Sequence, residues 1–99
     1  MSTIFKKISD REITGEIIYE DDLWRAFRDV DTKAPEHVLI IPKKEIASLA
    51  ETRPEDKDVL GHMLIKASGI ARDLGVSDDG YRIVINTNRQ GGQEVYHLH

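Results

Sequence analysis

The residues best suited to chemistry in this 99-residue chain stand in its last stretch, NRQGGQEVYHLH, residues 88–99. His97 and His99 are two apart, and on an extended strand such side chains point the same way. Gln93, Val95, His97 and His99 would share one face, with Tyr96 and Leu98 turned to the other, towards the core. The preceding Arg89-Gln90-Gly91-Gly92 run can bring backbone N–H groups close to an anion, because glycine adopts conformations closed to other residues. Three readings fit. The rings could be partly exposed histidines on a sheet surface. They could join a third, His37, around zinc. Or one could be a nucleophile: neutral imidazole attacks phosphorus, and a neighbouring histidine can orient it. A glutamine and glycines beside it could hold phosphate oxygens as charge builds. Spacing alone leaves all three open.

The rest of the chain must position these groups. Ile4, Phe5 and Ile8 recur at helical spacing behind Ser2 and Thr3, which predicts a short N-terminal helix. Residues 15–30 read as a hairpin, with strands Ile17–Tyr19 and Leu23–Val30 and a turn at Glu20–Asp22. In the second strand Leu23, Arg25, Phe27 and Asp29 share one face, and Trp24, Ala26, Arg28 and Val30 the other. Neither face is cleanly apolar, so a bulge or a functional surface is expected there. HVLIIPK is the strongest strand signal, with both faces covered and Pro42 as its stop. EIASLAET reads as a short helix. The long helix lies in PEDKDVLGHMLIKASGIARDLGV, with Pro54, Glu55, Asp56 and Asp58 in its first turns. Leu60, Met63, Leu64, Ala67, Ile70, Ala71 and Leu74 form its apolar stripe, and Gly75 its C-terminal stop. GYRIVINTN and a run from Gln93 give two more strands. The class is α+β, with an antiparallel sheet of about five strands.

The totals set limits. Ninety-nine residues make one domain. Charged residues are 32% and hydrophobic ones 39% of the chain, a globular mixture. The net charge of −4 argues against a nucleic-acid groove. With no cysteine, disulfides and thiolate metal sites are excluded. The longest uninterrupted apolar run, Val38–Ile41, is far short of a membrane helix, and charges at Lys6, Lys7, Asp10, Arg11 and Glu12 occupy the place of a signal peptide's apolar stretch. A cytoplasmic domain without membrane or nucleic-acid partners is expected.

GGQEVYHLH resembles the start of the histidine triad signature, His-x-His-x-His with apolar residues between. IFKKI, YEDD, AFRDV, APEHVLIIPKK, DLG and GYRIVINTNRQGGQEVYH resemble, in the same order, the nucleotide-binding branch of that family, in its bacterial phosphoramidase form. The resemblance spans essentially the whole chain. It implies hydrolysis of purine nucleoside 5′-phosphoramidates by a homodimer with an isologous interface, without metal or cofactor. His99 matches the nucleophile, His97 the histidine that orients the site, and His37 the family's fourth histidine. Asp29 matches the ribose-binding acid, whose carboxylate can accept from both hydroxyls. Ile4, Phe5, Ile8, Phe27, Val30 and Leu39 match the apolar base pocket. Asn86 and Gln93 match polar residues beside the phosphate, and a backbone N–H near Val95 reaches it in the family. The NTNRQGGQEVYH block argues against the dinucleoside polyphosphate hydrolase branch.

Two positions depart from the pattern. Glu94 stands where eukaryotic members often carry a serine, and an ionised carboxylate cannot donate a hydrogen bond. Bacterial members resemble this sequence there, so Glu94 is read as a feature of the branch. The signature also calls for a third histidine, at what would be position 101, followed by a glycine pair and a tail. The natural chain is therefore expected to continue past His99. A chain lacking those residues would be expected to bind purine nucleotides without turnover.

Overall fold

The computed structural model describes residues 16–28 and 37–99. The expected N-terminal helix with Ile4, Phe5 and Ile8, and the positions of Asp29 and Val30, lie outside the described residues. The expected hairpin forms. Strand β1 (Ile17–Glu20) pairs antiparallel with β2 (Trp24–Arg28), with a bulge between Ile17 and Tyr19. The turn sits one residue later than expected, because Glu20 still pairs with Arg25 and Asp21 builds the turn. Its Oδ1 accepts from the N–H groups of Leu23 (2.8 Å) and Trp24 (3.1 Å), the local side-chain-to-backbone closure that favours aspartate in turns.

Strand β3 (Val38–Pro42) pairs antiparallel with β2, from Trp24 opposite Pro42 to Arg28 opposite Val38. Beyond it, the Lys43 N–H donates to the Leu23 carbonyl at 2.8 Å. Antiparallel pairs alternate, so the Trp24–Pro42 pair falls at a non-hydrogen-bonded position. The ladder needs no N–H from Pro42 there, and the Pro42 carbonyl points away from β2, towards the free edge of the sheet.

Helix α1 (Lys57–Asp73) is about 25 Å long. A 3-10 turn, Pro54–Asp56, leads into it. Its end is a Schellman motif with Gly75 at φ 77°: Gly75 N–H donates to the Arg72 carbonyl and Val76 N–H to that of Ala71. The helix lays Met63 and Ile70 on Trp24 and Ala26, with Val38 and Ile40 packed beside them. A second cluster joins Val59 to Ile46 and Leu98. Leu64, expected in the stripe, is 52% exposed, and Val59 is buried in its place. Leu64 sits about 100° round the helix from Met63, past the reach of the three-stranded sheet.

Among the described residues the sheet has three strands, order β1-β2-β3, not five. Residues 80–88 and 93–99, read as strands, form no ladder. Tyr81, Ile83 and Val84 stand exposed, without the neighbouring strand that makes a ladder. In the final stretch side chains take the backbone's hydrogen bonds: Gln93 donates to the Val95 carbonyl, and the His99 ring bonds the His97 carbonyl. Such local bonds compete with ladder formation, and the expected alternation fails with it. Leu98 is buried as expected, but Tyr96 is 44% exposed. EIASLAET yields only a 3-10 turn, Leu49–Glu51, capped by the buried Ser48 hydroxyl accepting from Ala50 N–H.

Asp56 ties this region together. It accepts from Lys44 Nζ at 2.5 Å and from the Arg53 N–H at 2.9 Å. The Lys44 hydrogen bond, helped by that N–H, holds its carboxyl below the ordinary value of 3.8. A lowered folded-state value means a contribution that is complete above the ordinary value and lost as pH falls through the folded one. Asp56→Asn should therefore unfold at lower urea than the parent at neutral pH, with the two curves converging as the acid range is crossed.

Candidate active site

The site is built on the outer edge of β3. His97 is fully buried, and its Nε2 lies 3.0 Å from the outward-pointing Pro42 carbonyl. A carbonyl only accepts, so Nε2–H donates, and in the neutral ring the lone pair rests on Nδ1. That nitrogen is buried with no hydrogen-bond partner among the described residues. Leu98 follows, buried in the Ile46–Val59 cluster, its N–H donating to the Ile46 carbonyl at 2.7 Å. The two histidines therefore flank an anchored residue.

His99 is half-buried. Its Nδ1 lies 2.8 Å from the His97 carbonyl. By the same argument Nδ1–H donates, and the neutral ring keeps its lone pair on Nε2. This bond fixes both the tautomer and the orientation of an imidazole whose remaining nitrogen can attack. The family resemblance implies an orienting role for His97. The structure adds its backbone carbonyl, for which residue type gives no signal.

The loop before the histidines is held from within. Asn88 and Gly92 take positive φ, 59° and 82°. The N–H groups of Gly91, Gly92 and Gln93 donate to carbonyls of Asn88 and Arg89. Gln93 is buried and wholly engaged: Oε1 accepts from Asn88 N–H at 2.8 Å, and Nε2 donates to the Ala47 (2.8 Å) and Val95 (3.0 Å) carbonyls. It shapes the loop with the amide expected beside the phosphate. The loop's own bonds leave the N–H groups of Glu94 and Val95 outside that network. Glu94 is exposed and Val95 half-buried. Asn86 is exposed and packs against the double glycine: its Nδ2 lies 4.0 Å from where a Cβ on Gly92 would stand.

Phe27 and Leu39 are direct cross-strand partners, on the sheet face opposite Trp24 and Ala26. Phe27 is buried and Leu39 half-buried. His37 is exposed just before β3. It stands at the other end of that strand from Pro42, roughly 16 Å away along the chain, so the structure does not bring it against His97. Among the described residues no three metal-ligating side chains gather around a common point, and no helix is long and apolar enough to cross a membrane.

A three-stranded antiparallel sheet backed by one long helix, with a histidine whose ring is bonded to the preceding histidine's carbonyl, defines an α+β protein of histidine-triad type. Residues 10–99 match the HIT domain model, and the chain belongs to the HIT, or histidine triad, family. It is 50% identical over 97 residues to a purine nucleoside phosphoramidase of Escherichia coli (strain K12), covering 98% of this chain and 82% of that protein. A HIT family hydrolase from Legionella pneumophila superposes with a TM-score of 0.95 at 44% identity, covering 98% of this chain and 87% of that one. A histidine triad protein from Clostridium difficile gives 0.94 at 39% identity, covering 99% and 85%.

Proposed function

We propose that this chain is a phosphoramidase that hydrolyses purine nucleoside 5′-phosphoramidates, adenosine phosphoramidate and AMP-lysine adducts among them. It works as a single histidine-triad domain, in the cytoplasm, as a homodimer. The observation that carries the reading is the bond from His99 Nδ1 to the His97 carbonyl, which leaves Nε2 as the nucleophile. Half-identity to an Escherichia coli phosphoramidase supports the reaction class. His99 Nε2 forms a bond to the α-phosphorus, the P–N bond breaks, and the amine leaves after gaining a proton. Water then attacks the nucleotidyl-histidine, releasing AMP and restoring the ring. Asp29 holds the ribose hydroxyls, and Phe27 and Leu39 form the floor of the base pocket with Ile4, Phe5, Ile8 and Val30. N–H groups of Glu94 and Val95 face the phosphate, with Asn86 and Gln93 shaping that side, and His37 borders the site from the far end of β3. The exposed Leu64 and Ile65 on α1 and Tyr81, Ile83 and Val84 are the kind of surface a self-complementary interface covers.

The test is a rapid-quench experiment with adenosine phosphoramidate, read by intact mass and peptide mapping. One nucleotidyl unit on the peptide containing His99 is expected, decaying as AMP appears. Tight AMP binding with neither adduct nor turnover would replace this reading with that of a nucleotide-binding module.

A further inference from the structure

The hairpin turn and α1 share a histidine–aspartate pair that the reaction above does not use. His62, on α1, places Nε2 2.5 Å from Asp21 Oδ2. Asp21 is the residue whose Oδ1 holds the Leu23 and Trp24 N–H groups, and Tyr19 donates its hydroxyl to Oδ2 at 3.3 Å. Trp24 is fully buried, stacked on Tyr19 at 4.8 Å, with the His62 ring edge-on at 6.1 Å. Burial pushes the Asp21 carboxyl up, but the His62 bond and the two turn N–H groups outweigh it, leaving the carboxyl below its ordinary value.

What this cluster holds leads to the site. Trp24 is the cross-strand partner of Pro42. The Pro42 carbonyl holds His97 Nε2, and the His97 carbonyl holds His99 Nδ1. The Pro42 carbonyl shares its peptide plane with the Lys43 N–H, so its aim is set by the Lys43–Leu23 bond and the packing of Trp24. Both begin at the turn that Asp21 closes and His62 ties to the helix. We infer that Asp21 and His62 are positioning residues for His99, setting the angle at which its Nε2 meets phosphorus. The inference rests on the nucleophilic role given to His99 above.

The variants His62→Ala and His62→Gln test it. Glutamine places an N–H close to where His62 Nε2 lies and can still donate to Asp21; alanine cannot. Both are compared with parent protein and with Ile70→Val, a core change in the same cluster away from the turn, at a temperature where circular dichroism shows all four folded. His62→Ala should lower kcat for adenosine phosphoramidate by roughly tenfold, since small misplacements of a reacting group are costly. KM should change little, His62→Gln should recover most of kcat, and Ile70→Val should keep it. Equal kcat in His62→Ala and parent, or no recovery with glutamine, overturns the inference. Parent protein without turnover would instead overturn the proposed reaction. The positioning is then read from imidazole 15N shifts: His99 should hold the Nδ1–H tautomer in the parent and lose that preference in His62→Ala. Identical shifts would overturn it.

Discussion

Replacing His99 by glycine should lower adenosine phosphoramidate hydrolysis by at least about 10³-fold, while AMP binding stays within a few fold of the parent. Loss of a nucleophile removes the covalent route itself, whereas loss of a positioning group only makes the route less frequent. The ring is half-buried and spends one nitrogen on a backbone carbonyl. Its removal leaves the His97 carbonyl acceptor without that ring donor, a modest loss, and the fold should survive. Initial rates and calorimetric AMP affinity, measured on the same preparation, separate the two effects. A variant that keeps the nucleotidyl adduct would move the nucleophile elsewhere. A variant that loses binding and rate together would make His99 a binding residue. Changing His97 should behave differently, because its ring is fully buried and tied to Pro42: stability and rate should fall together.

The parts of this protein legible in its sequence are those written in local chemistry. The hairpin could be read because Asp21 builds its turn from its own side chain. The helix could be read because Gly75 supplies the left-handed residue that a Schellman end requires. Trp24 and Ala26 were placed on one face of β2, and that face proves to be the one under the helix. The strands at 80–88 and 93–99 were misjudged because alternation reports what a segment would bury, not whether a partner lies beside it. Side-chain bonds from Gln93 and His99 then took backbone groups that a ladder would need. The histidines could be picked out by type and family likeness. The carbonyls of Pro42 and His97, which set both tautomers, could not, since a backbone group is present at every position and acquires its role only through the fold. The His62–Asp21 pair was equally hidden, because 41 residues separate its members.

Gln93 is where loop shape and chemistry meet, and Gln93→Leu should be the most destabilising change near the site. Leucine has nearly the same size, so packing is largely kept. The Asn88 N–H and the Ala47 and Val95 carbonyls each lose a partner. Groups left unpaired out of water cost about 1–3 kcal/mol each. Water can reach some of them at this loop, so a total of about 3 kcal/mol is expected, read as a lower urea midpoint at unchanged slope. The functional consequence should be selective. In the proposed site the Glu94 and Val95 N–H groups that follow this loop face the phosphate, while Phe27 and Leu39 lie on the sheet, across β3. AMP affinity should therefore drop by roughly tenfold or more, the equivalent of one good charge-assisted hydrogen bond, and adenosine affinity much less. Gln93→Glu provides the sharper comparison. It preserves the acceptor for Asn88 N–H but turns a carboxylate oxygen towards two carbonyl oxygens, so it should be less stable than Gln93→Leu at neutral pH. The order should reverse in acid, where the protonated carboxyl can again donate to one carbonyl. If both variants bind AMP as the parent does, the amide of Gln93 is ordinary loop packing, and the phosphate is held by groups that do not depend on it.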